Sequence, residues 1–518
     1  MRRLLPRLTL LGACLALGVL LLLPAAASAK TTAHRIASHH SLHKSVAGPG
    51  LMFAQALEAP AQATAVIHRY TPFDIRWAYG LNSVGDPTTG TGLLGQGQTI
   101  VLLDSYGSPT AAQDLQFFHD TYYPNLPDPS FEQLFPLGRP DYHNVAKGNG
   151  VSGPAAAAGW SGEATLDIEW SYAVAPLAHI VLVAVPPAET LGVQGFPNLM
   201  KAIDKLVAAE PPGTVFSQSF GISENTFGGA AKQQAARFDQ TYQAGLAKGD
   251  TFFASSGDNG TNGFLRAHKG VYTTTPEGSW PCSSPYVTAV GGTQLQLGWT
   301  WNPTSDVPFL SDGSYNPAYF NSVTGGLTEV VWNESWLPAA TGGGVSSIYP
   351  RPSWQDGVLG LVGDHRGYPD LSWNAAVNGG VAVYISAFPN YQRTGWHTYG
   401  GTSSSSPQVA AVIALANEQQ APGGHPPIGD LNPLLYQVGA SSAGATAFRD
   451  ILPAVQGTAL SGKLVNNTMF QYNADGSVSV GPVPGYPVLT GWDLTTGWGS
   501  PLAPAFIEAI TDARNAMP

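Results

Sequence analysis

The run Val409-Ala410-Ala411-Val412-Ile413-Ala414-Leu415-Ala416 is apolar without a break. A helix made from it is apolar on every side and has to be buried inside a large core. It follows Gly400-Gly401-Thr402-Ser403-Ser404-Ser405-Ser406-Pro407 directly. A flexible serine-rich linker continues into polar sequence, whereas this one enters a core. The serines therefore stand at the start of a buried helix. There the positive end of the helix dipole and nearby N–H groups can stabilise developing negative charge. Gly400 and Gly401 permit close backbone approach just before them. Pro407 is expected in the first helical turn, where its missing N–H costs nothing. Helix capping by Ser406 is the plainer role for this stretch.

A buried helix needs layers around it, and the rest of the chain supplies them. The segments 95–107 (GQGQTIVLLDSYG), 213–221 (GTVFSQSFG), 251–260 (TFFASSGDNG) and 284–295 (SPYVTAVGGTQL) read as apolar strands. Residues 198–209 and 230–249 read as helices between them. Strands that lack polar alternation and alternate with helices predict a mostly parallel sheet covered on both faces, an α/β fold. Sites in such sheets lie at the C-terminal ends of strands. Asp104, Ser219 and Asp258 all follow apolar runs and fall at such ends. Residues 296–340, rich in Trp, Tyr, Pro and Asn, and residues 452–488 read as insertions, the first as a long surface one.

Composition narrows the class. Only 11% of the 518 residues are charged, 43% are hydrophobic, and Gly (61) and Pro (42) are plentiful, which describes a loop-rich globular protein. A net charge of -11 argues against nucleic acid as a partner. Arg2, Arg3 and Arg7, a long apolar run and Ala27-Ser28-Ala29 read as a secretory signal peptide over residues 1–29, with export and no stable membrane association after cleavage. Residues 30–69 read as a short leader, and residues 70–518 as one large domain. Cleavage after the signal would leave Cys282 without an intramolecular partner, so core size or a metal has to supply stability.

A serine nucleophile needs a base. None of the 12 histidines stands in a His-Gly-Thr-His-type context, and His179 reads as a structural strand residue. The segment WSGEATLDIEW offers carboxylates instead. Glu163 and Asp167 are four apart and share one helical face, with Glu169 off it. A buried carboxyl pair shares a proton and can accept and return it in acid, where a histidine would stay charged. A solvated accidental pair is the alternative reading of the same spacing.

Taken in order, YTPFDIRWAYGL, GEATLDIEWSYAVAP, SQSFG, FFASSGDNG, SSPYVTAVGGT, GGGVSS, RGYPDLSWNA and GGTSSSSP resemble the sedolisin family, the serine-carboxyl peptidases of subtilisin-like fold. The resemblance covers nearly everything from Tyr70 onward. It implies a single subtilisin-like domain in which Ser403 is the nucleophile, Glu163 the general base and then acid, and Asp167 its orienting partner. Asp258 would be a protonated oxyanion donor beside the Ser403 N–H; read alone, its Asp-Asn-Gly sequence is an ordinary turn.

The resemblance also implies one Ca²⁺, held by the carboxylates of Asp450 and Asp493 and the carbonyls of Ile451, Leu489 and Gly491, since hard oxygen ligands suit that ion. The family pattern has Gly where Leu489 stands, a change a backbone ligand tolerates. Sedolisins are usually made with a large propeptide domain, and about forty residues between the expected cleavage and Tyr70 are too few for one.

The expectation is a secreted, extracellular, monomeric endopeptidase acting on protein and peptide substrates in acid. A tripeptidyl-type exopeptidase, a catalytically silent binding protein on the same fold, and a Ser-His-Asp hydrolase of lipase type are the alternatives; the last lacks a Gly-x-Ser-x-Gly elbow.

Overall fold

The computed structural model describes residues 51–52, 57–58, 67–140, 142, 154–186, 195–263, 272–302 and most of 304–517. The excepted positions in that last range are 306, 309, 312–313, 315, 324, 456–462 and 473–477. The expected signal peptide and most of the 30–69 leader lie outside these residues.

In chain order the elements that matter are as follows. Two short strands come from the leader, β1 (Leu51–Met52) and β2 (Leu57–Glu58). Next come β3 (Thr99–Ser105), α1 (Ala111–Tyr122), β4 (Phe131–Leu134), α2 (Pro154–Val174) and β5 (His179–Val185). Then follow α3 (Phe196–Ala209), β6 (Val215–Gln218), β7 (Gly221–Ser223), α4 (Ala231–Lys248) and β8 (Thr251–Ser255). The second half adds β9 (Thr288–Leu297), β10 (Leu327–Val331), β11 (Leu371–Asn374), β12 (Gly380–Ile385), β13 (Gly395–Gly400) and α5 (Thr402–Gln420).

The central sheet has eight strands in the order β10-β9-β8-β6-β3-β5-β4, with β11 also pairing β9. Every pair is parallel except β9 with β10. This is the subtilisin-like α/β arrangement. Alternate side chains of β3 and β5 feed two cores. Ile100, Leu102, Ile180 and Leu182 join the cluster that contains α2 and the Val409–Ala416 run. Val101, Leu103, Val181 and Val183 join the one built on α3 and α4. Burial on both faces is why these strands carry no polar alternation. The strand β3 lies between β5 on one side and β6 on the other, where the strand order switches direction; in open α/β sheets sites form at the C-terminal ends of such strands.

Two expectations change. Helix α5 begins at Thr402, so Pro407 is its sixth residue and sits in the second turn. A residue there would donate its N–H to the Ser403 carbonyl, and proline supplies none. Gly401 is the N-cap residue, at φ +102°, a conformation suited to glycine. Ser406 is therefore inside the helix and caps nothing.

The 296–340 region is not merely a surface excursion. Its β10 completes the sheet edge against β9, and Trp299, Trp301, Tyr319, Phe320, Trp332 and Trp336 are buried in a cluster of their own. Aromatic residues gave it no readable period because they pack on one another rather than on the sheet.

Because α5 is surrounded on all sides, truncating it leaves a cavity that nothing can fill. Ile413→Ala should destabilise the fold by about 2–5 kcal/mol. The check is denaturant unfolding, read as a lower midpoint at unchanged slope.

Candidate active site

Three carboxyl groups converge at the C-terminal end of β3. Asp104 is near the end of β3, and Glu163 and Asp167 lie one turn apart on α2. One carboxylate oxygen from each lies within 4.8 Å of the other two, and all three side chains are buried. Asp167 Oδ2 accepts a hydrogen bond of 2.7 Å from Ser219 Oγ, just after β6. Burial, and then the neighbouring Asp104 and Glu163 charges, hold Asp167 well above the usual carboxylate range. Burial also raises Asp104. Carboxyl groups this close cannot all be ionised, so the cluster retains protons. Glu169 belongs elsewhere: its Oε2 accepts the Tyr384 N–H at 3.0 Å.

Helix α2 packs along α5, which brings the acidic cluster to the helix that carries the serines. Ser404, Ser405 and Ser406 are each tied into the surrounding structure. Ser404 Oγ accepts from Gln408, Ser405 Oγ donates to the Trp373 and Asn374 carbonyls, and Ser406 Oγ meets Ser217 Oγ at 2.8 Å. Ser403, in the second position of α5, is the serine nearest the helix start.

Asp258 reaches the same place from the loop after β8. Its Oδ1 accepts from the Thr402 N–H and Oγ–H, both at 2.8 Å. Thr402 Oγ1 in turn accepts the Gly257 N–H at 3.0 Å. The other oxygen, Oδ2, is buried with no hydrogen-bond partner among the described residues, which leaves it to carry a proton. Burial pushes Asp258 up to about 7, against two hydrogen bonds from Thr402 that pull it down. A neutral carboxyl next to a helix N-terminus is a hydrogen-bond donor placed for developing negative charge.

The structure thus gathers Glu163, Asp167, Asp258 and the start of α5, all named from sequence, around the C-terminal side of the sheet. It adds Asp104 and Ser219, whose positions after apolar strands were readable but whose partnership with Asp167 was not. His179 is the first residue of β5, where its ring nitrogens meet Ser130 Oγ and Glu132. It pairs with Thr99, five residues and about 16 Å of strand from the level of Asp104. It is no base for Ser403.

The candidate metal loops also come together. Gly491 N–H donates to Asp450 Oδ2 at 2.9 Å, and Leu489 N–H to Asp493 Oδ2 at 2.8 Å. Asp493 Oδ1 takes three donors from Thr495 and Thr496, leaving Oδ2 as its oxygen for a further partner. Among the described residues neither aspartate has a cationic partner, and Ile451 beside Asp450 is fully buried. Two carboxylates held on adjoining loops, with no cationic partner among the described residues, are oxygen donors that fit a hard divalent ion.

Comparison with known proteins agrees with this geometry. A model of the subtilase family matches residues 145–427. Kumamolisin of Bacillus sp. (strain MN-32) is 29% identical over 469 residues, which span 89% of this chain and 67% of kumamolisin. The chain belongs to the subtilase family, in its sedolisin group. It is accordingly a serine-type peptidase. Human tripeptidyl-peptidase 1 is 28% identical over 89% of this chain and 68% of its own length. Sedolisin of Pseudomonas sp. (strain 101) is 31% identical over 51% of this chain and 35% of its own. The solved structure of Pseudomonas sedolisin in complex with pseudo-iodotyrostatin superposes with a TM-score of 0.59 at 23% identity, covering 86% of this chain and 99% of that one, and so shares the fold.

The raised carboxyls of this sedolisin-family site tie its stability to pH. An acid whose folded pKa exceeds its unfolded value stabilises the fold below the unfolded value and loses that contribution as pH rises through the folded one. For Asp258 the window runs from about 4 to about 7. Thermal melts across it should show the wild type losing stability, by on the order of 4 kcal/mol from this group alone. Asp258→Asn, which cannot ionise, should show a shallower fall; a parallel decline in both proteins would contradict the assignment.

Proposed function

We propose that the protein is a secreted serine-carboxyl endopeptidase that cleaves proteins and peptides in acid. The observation that carries this reading is the buried Asp104–Glu163–Asp167 cluster against the helix that starts at Thr402. In this reading Ser403 Oγ attacks the scissile carbonyl carbon while Glu163 takes its proton. The oxyanion accepts from the protonated Asp258 and the Ser403 N–H. Glu163 then gives the proton to the leaving amine. A water molecule, deprotonated by Glu163, hydrolyses the acyl-enzyme and restores the serine. Asp167 holds Glu163 and keeps its charge in check, with Ser219 and Asp104 fixing Asp167 from behind. Residues 1–29 would act as a signal peptide and residues 30–69 as a leader, and the working enzyme would be a monomer.

Glu163→Gln has the same shape and cannot take a proton, so it should lose about 10²–10⁴-fold in kcat. Ser403→Ala should be inactive, and a peptide aldehyde should label Ser403 alone in the wild type. Full activity in either variant, or activity that rises through neutral pH, would end this reading. Identity with tripeptidyl-peptidase 1 supports a second reading, an exopeptidase releasing tripeptides. Peptides with blocked and free amino termini separate the two, because only an endopeptidase cuts both.

Asp450, Asp493 and the carbonyls of Ile451, Leu489 and Gly491 would hold one Ca²⁺. The ion would supply positive charge between loops that no disulfide ties down. A ligand that binds only the native state adds about 2.7 kcal/mol when it is 100-fold above its dissociation constant. Chelation should therefore lower the melting temperature, and Asp493→Ala should show a lower value that no longer responds to chelator. A melting temperature indifferent to chelator in the wild type, with no calcium found by metal analysis, rules the ion out.

A further inference from the structure

Glu163 and Ser403 belong to different elements, and one close contact joins the residues beside them. Gly162 precedes Glu163 on α2, and Tyr399 stands four residues before Ser403 on β13. Both are buried. A Cβ added at Gly162 would stand 2.8 Å from the Tyr399 hydroxyl oxygen, closer than such atoms approach in folded proteins. The next atoms it would meet, Tyr399 Cζ at 3.5 Å and Ile385 Cδ1 at 3.7 Å, are at ordinary contact distance. The hydroxyl end of Tyr399 therefore rests on the bare backbone of the residue before Glu163. Glycine weakens the interior of a helix, so its place at 162 is explained by this contact and not by propensity.

The Tyr399 end of this contact is firmly held. Its backbone is paired on both sides, with Val381 of β12 and with Glu58 of β2. Its ring lies in the core cluster that also contains residues of α2 and α5. The path from Tyr399 to Ser403 is pinned as well. A Cβ at Gly400 would lie 2.5 Å from the Ala375 carbonyl oxygen, the Gly401 N–H donates to that oxygen at 2.6 Å, and the Thr402 N–H donates to Asp258. On α2, Ser161 Oγ donates to Ser108 Oγ at 2.7 Å and Trp170 Nε1 donates to the Ala382 carbonyl at 2.8 Å, which bracket Gly162 and Glu163. A hydrogen bond from α2 to α5, Ser171 Oγ to the Pro407 carbonyl at 3.4 Å, lies about two turns beyond Glu163. The Gly162–Tyr399 contact lies directly beside the reacting groups.

We propose that the Gly162–Tyr399 contact is the spacer that sets the reach of Glu163 to Ser403 Oγ, which makes Tyr399 a positioning residue for the proton transfer. A general base has to come within about 2.6–3.2 Å of the oxygen whose proton it takes, so an error of several tenths of an ångström is felt in the rate. The glycine lets α2 approach β13 this closely, and the tyrosine ring stops the approach at a fixed distance. Neither residue gives or takes a proton. The contact acts through the placement of Glu163 against Ser403, and so it bears on kcat and not on substrate affinity.

The inference rests on the proposed roles of Ser403 and Glu163, and the test separates the two. Turnover of one fluorogenic peptide is measured in acid, per mole of protein that circular dichroism shows to be folded under the assay conditions. Gly162→Ala sets a methyl group against the Tyr399 hydroxyl, and the two must part by several tenths of an ångström. Its kcat should fall about 10–100-fold with KM within about twofold of wild type, the loss expected of a sub-ångström misplacement. Adding Tyr399→Phe removes the one atom that the methyl group meets too closely, and the double variant should recover about tenfold in kcat over Gly162→Ala. Tyr399→Ala removes the stop altogether and should lower kcat about 100-fold at unchanged KM. A merely structural role would lower the folded fraction and leave the turnover of folded protein as it was. Wild-type kcat in Gly162→Ala, or no recovery in the double variant, overturns the inference. If Gly162→Ala does not fold, Tyr399→Ala decides: a fall in kcat alone supports the spacer, and wild-type kcat or a change in KM alone overturns it. Ser403→Ala and Glu163→Gln run alongside. Full activity in both removes the peptidase reading and this inference together, whereas large losses in both with Gly162→Ala unimpaired overturn the spacer alone.

Discussion

Three carboxyl groups within 4.8 Å of one another, all buried, impose an electrostatic cost that the surrounding fold has to offset. Protonation offsets most of it, and packing forces the groups to stay together. Asp104 is held in register by β5 and β6 on its two sides. Glu163 and Asp167 are held by a helix whose buried faces include Trp160, Trp170 and Tyr172. No side chain in that arrangement can swing out to water to relieve the repulsion. The proton affinity of the site is therefore a property of the sheet and helix packing as much as of the residues themselves.

The same constraint bears on the proposed use of carboxyl groups, in place of histidine, as proton carriers. A proton carrier must change charge near the working pH. Burial and like charge move carboxyl groups upward toward that range, while burial would move an imidazole down. His179 stands at the wrong end of its strand, and its partners Ser130 and Glu132 are on the opposite side of the sheet from the C-terminal strand ends. A catalytically silent protein would gain nothing from leaving Asp258 Oδ2 and Asp167 Oδ1 buried without a hydrogen bond from the described residues. Such unsatisfied acceptors cost stability and are kept where a substrate group or a proton completes them.

Much of this was legible in the sequence because it is local. The unbroken apolar run 409–416 required a buried helix, and the four-residue spacing of Glu163 and Asp167 required one helical face. Apolar runs without alternation required a parallel sheet. What the sequence withheld depends on pairings between distant segments. Nothing near Asp104 says that it meets Asp167, since 62 intervening residues must first fold. Ser219 gave the same silence. Pro407 was misplaced by a turn because the helix starts at a glycine with positive φ, and backbone sign is not written in residue type. The aromatic residues of 296–340 bury themselves against one another and against Leu57 and Ile67, a partnership that no periodicity encodes.

The buried acids also bear on the pH at which the fold is comfortable. Burial raises Asp239, Asp250 and Asp430 to about 6 and Asp258 to about 7, with Asp104, Asp167 and Glu169 raised as well. In most proteins carboxylates are paired in the folded state, their pKa values are lowered, and acid removes stability. Here the sign is reversed for a whole set. Below about 4 these groups are neutral in both states and cost nothing. As pH climbs from about 4 toward 6 and 7, the unfolded chain releases these protons while the folded chain still holds them, and stability falls. The usual opposing force in acid is repulsion among cations, and the chain carries only 23 Lys and Arg among 518 residues. Low basic content and uncharged buried acids act in the same direction, and both favour the folded chain in acid.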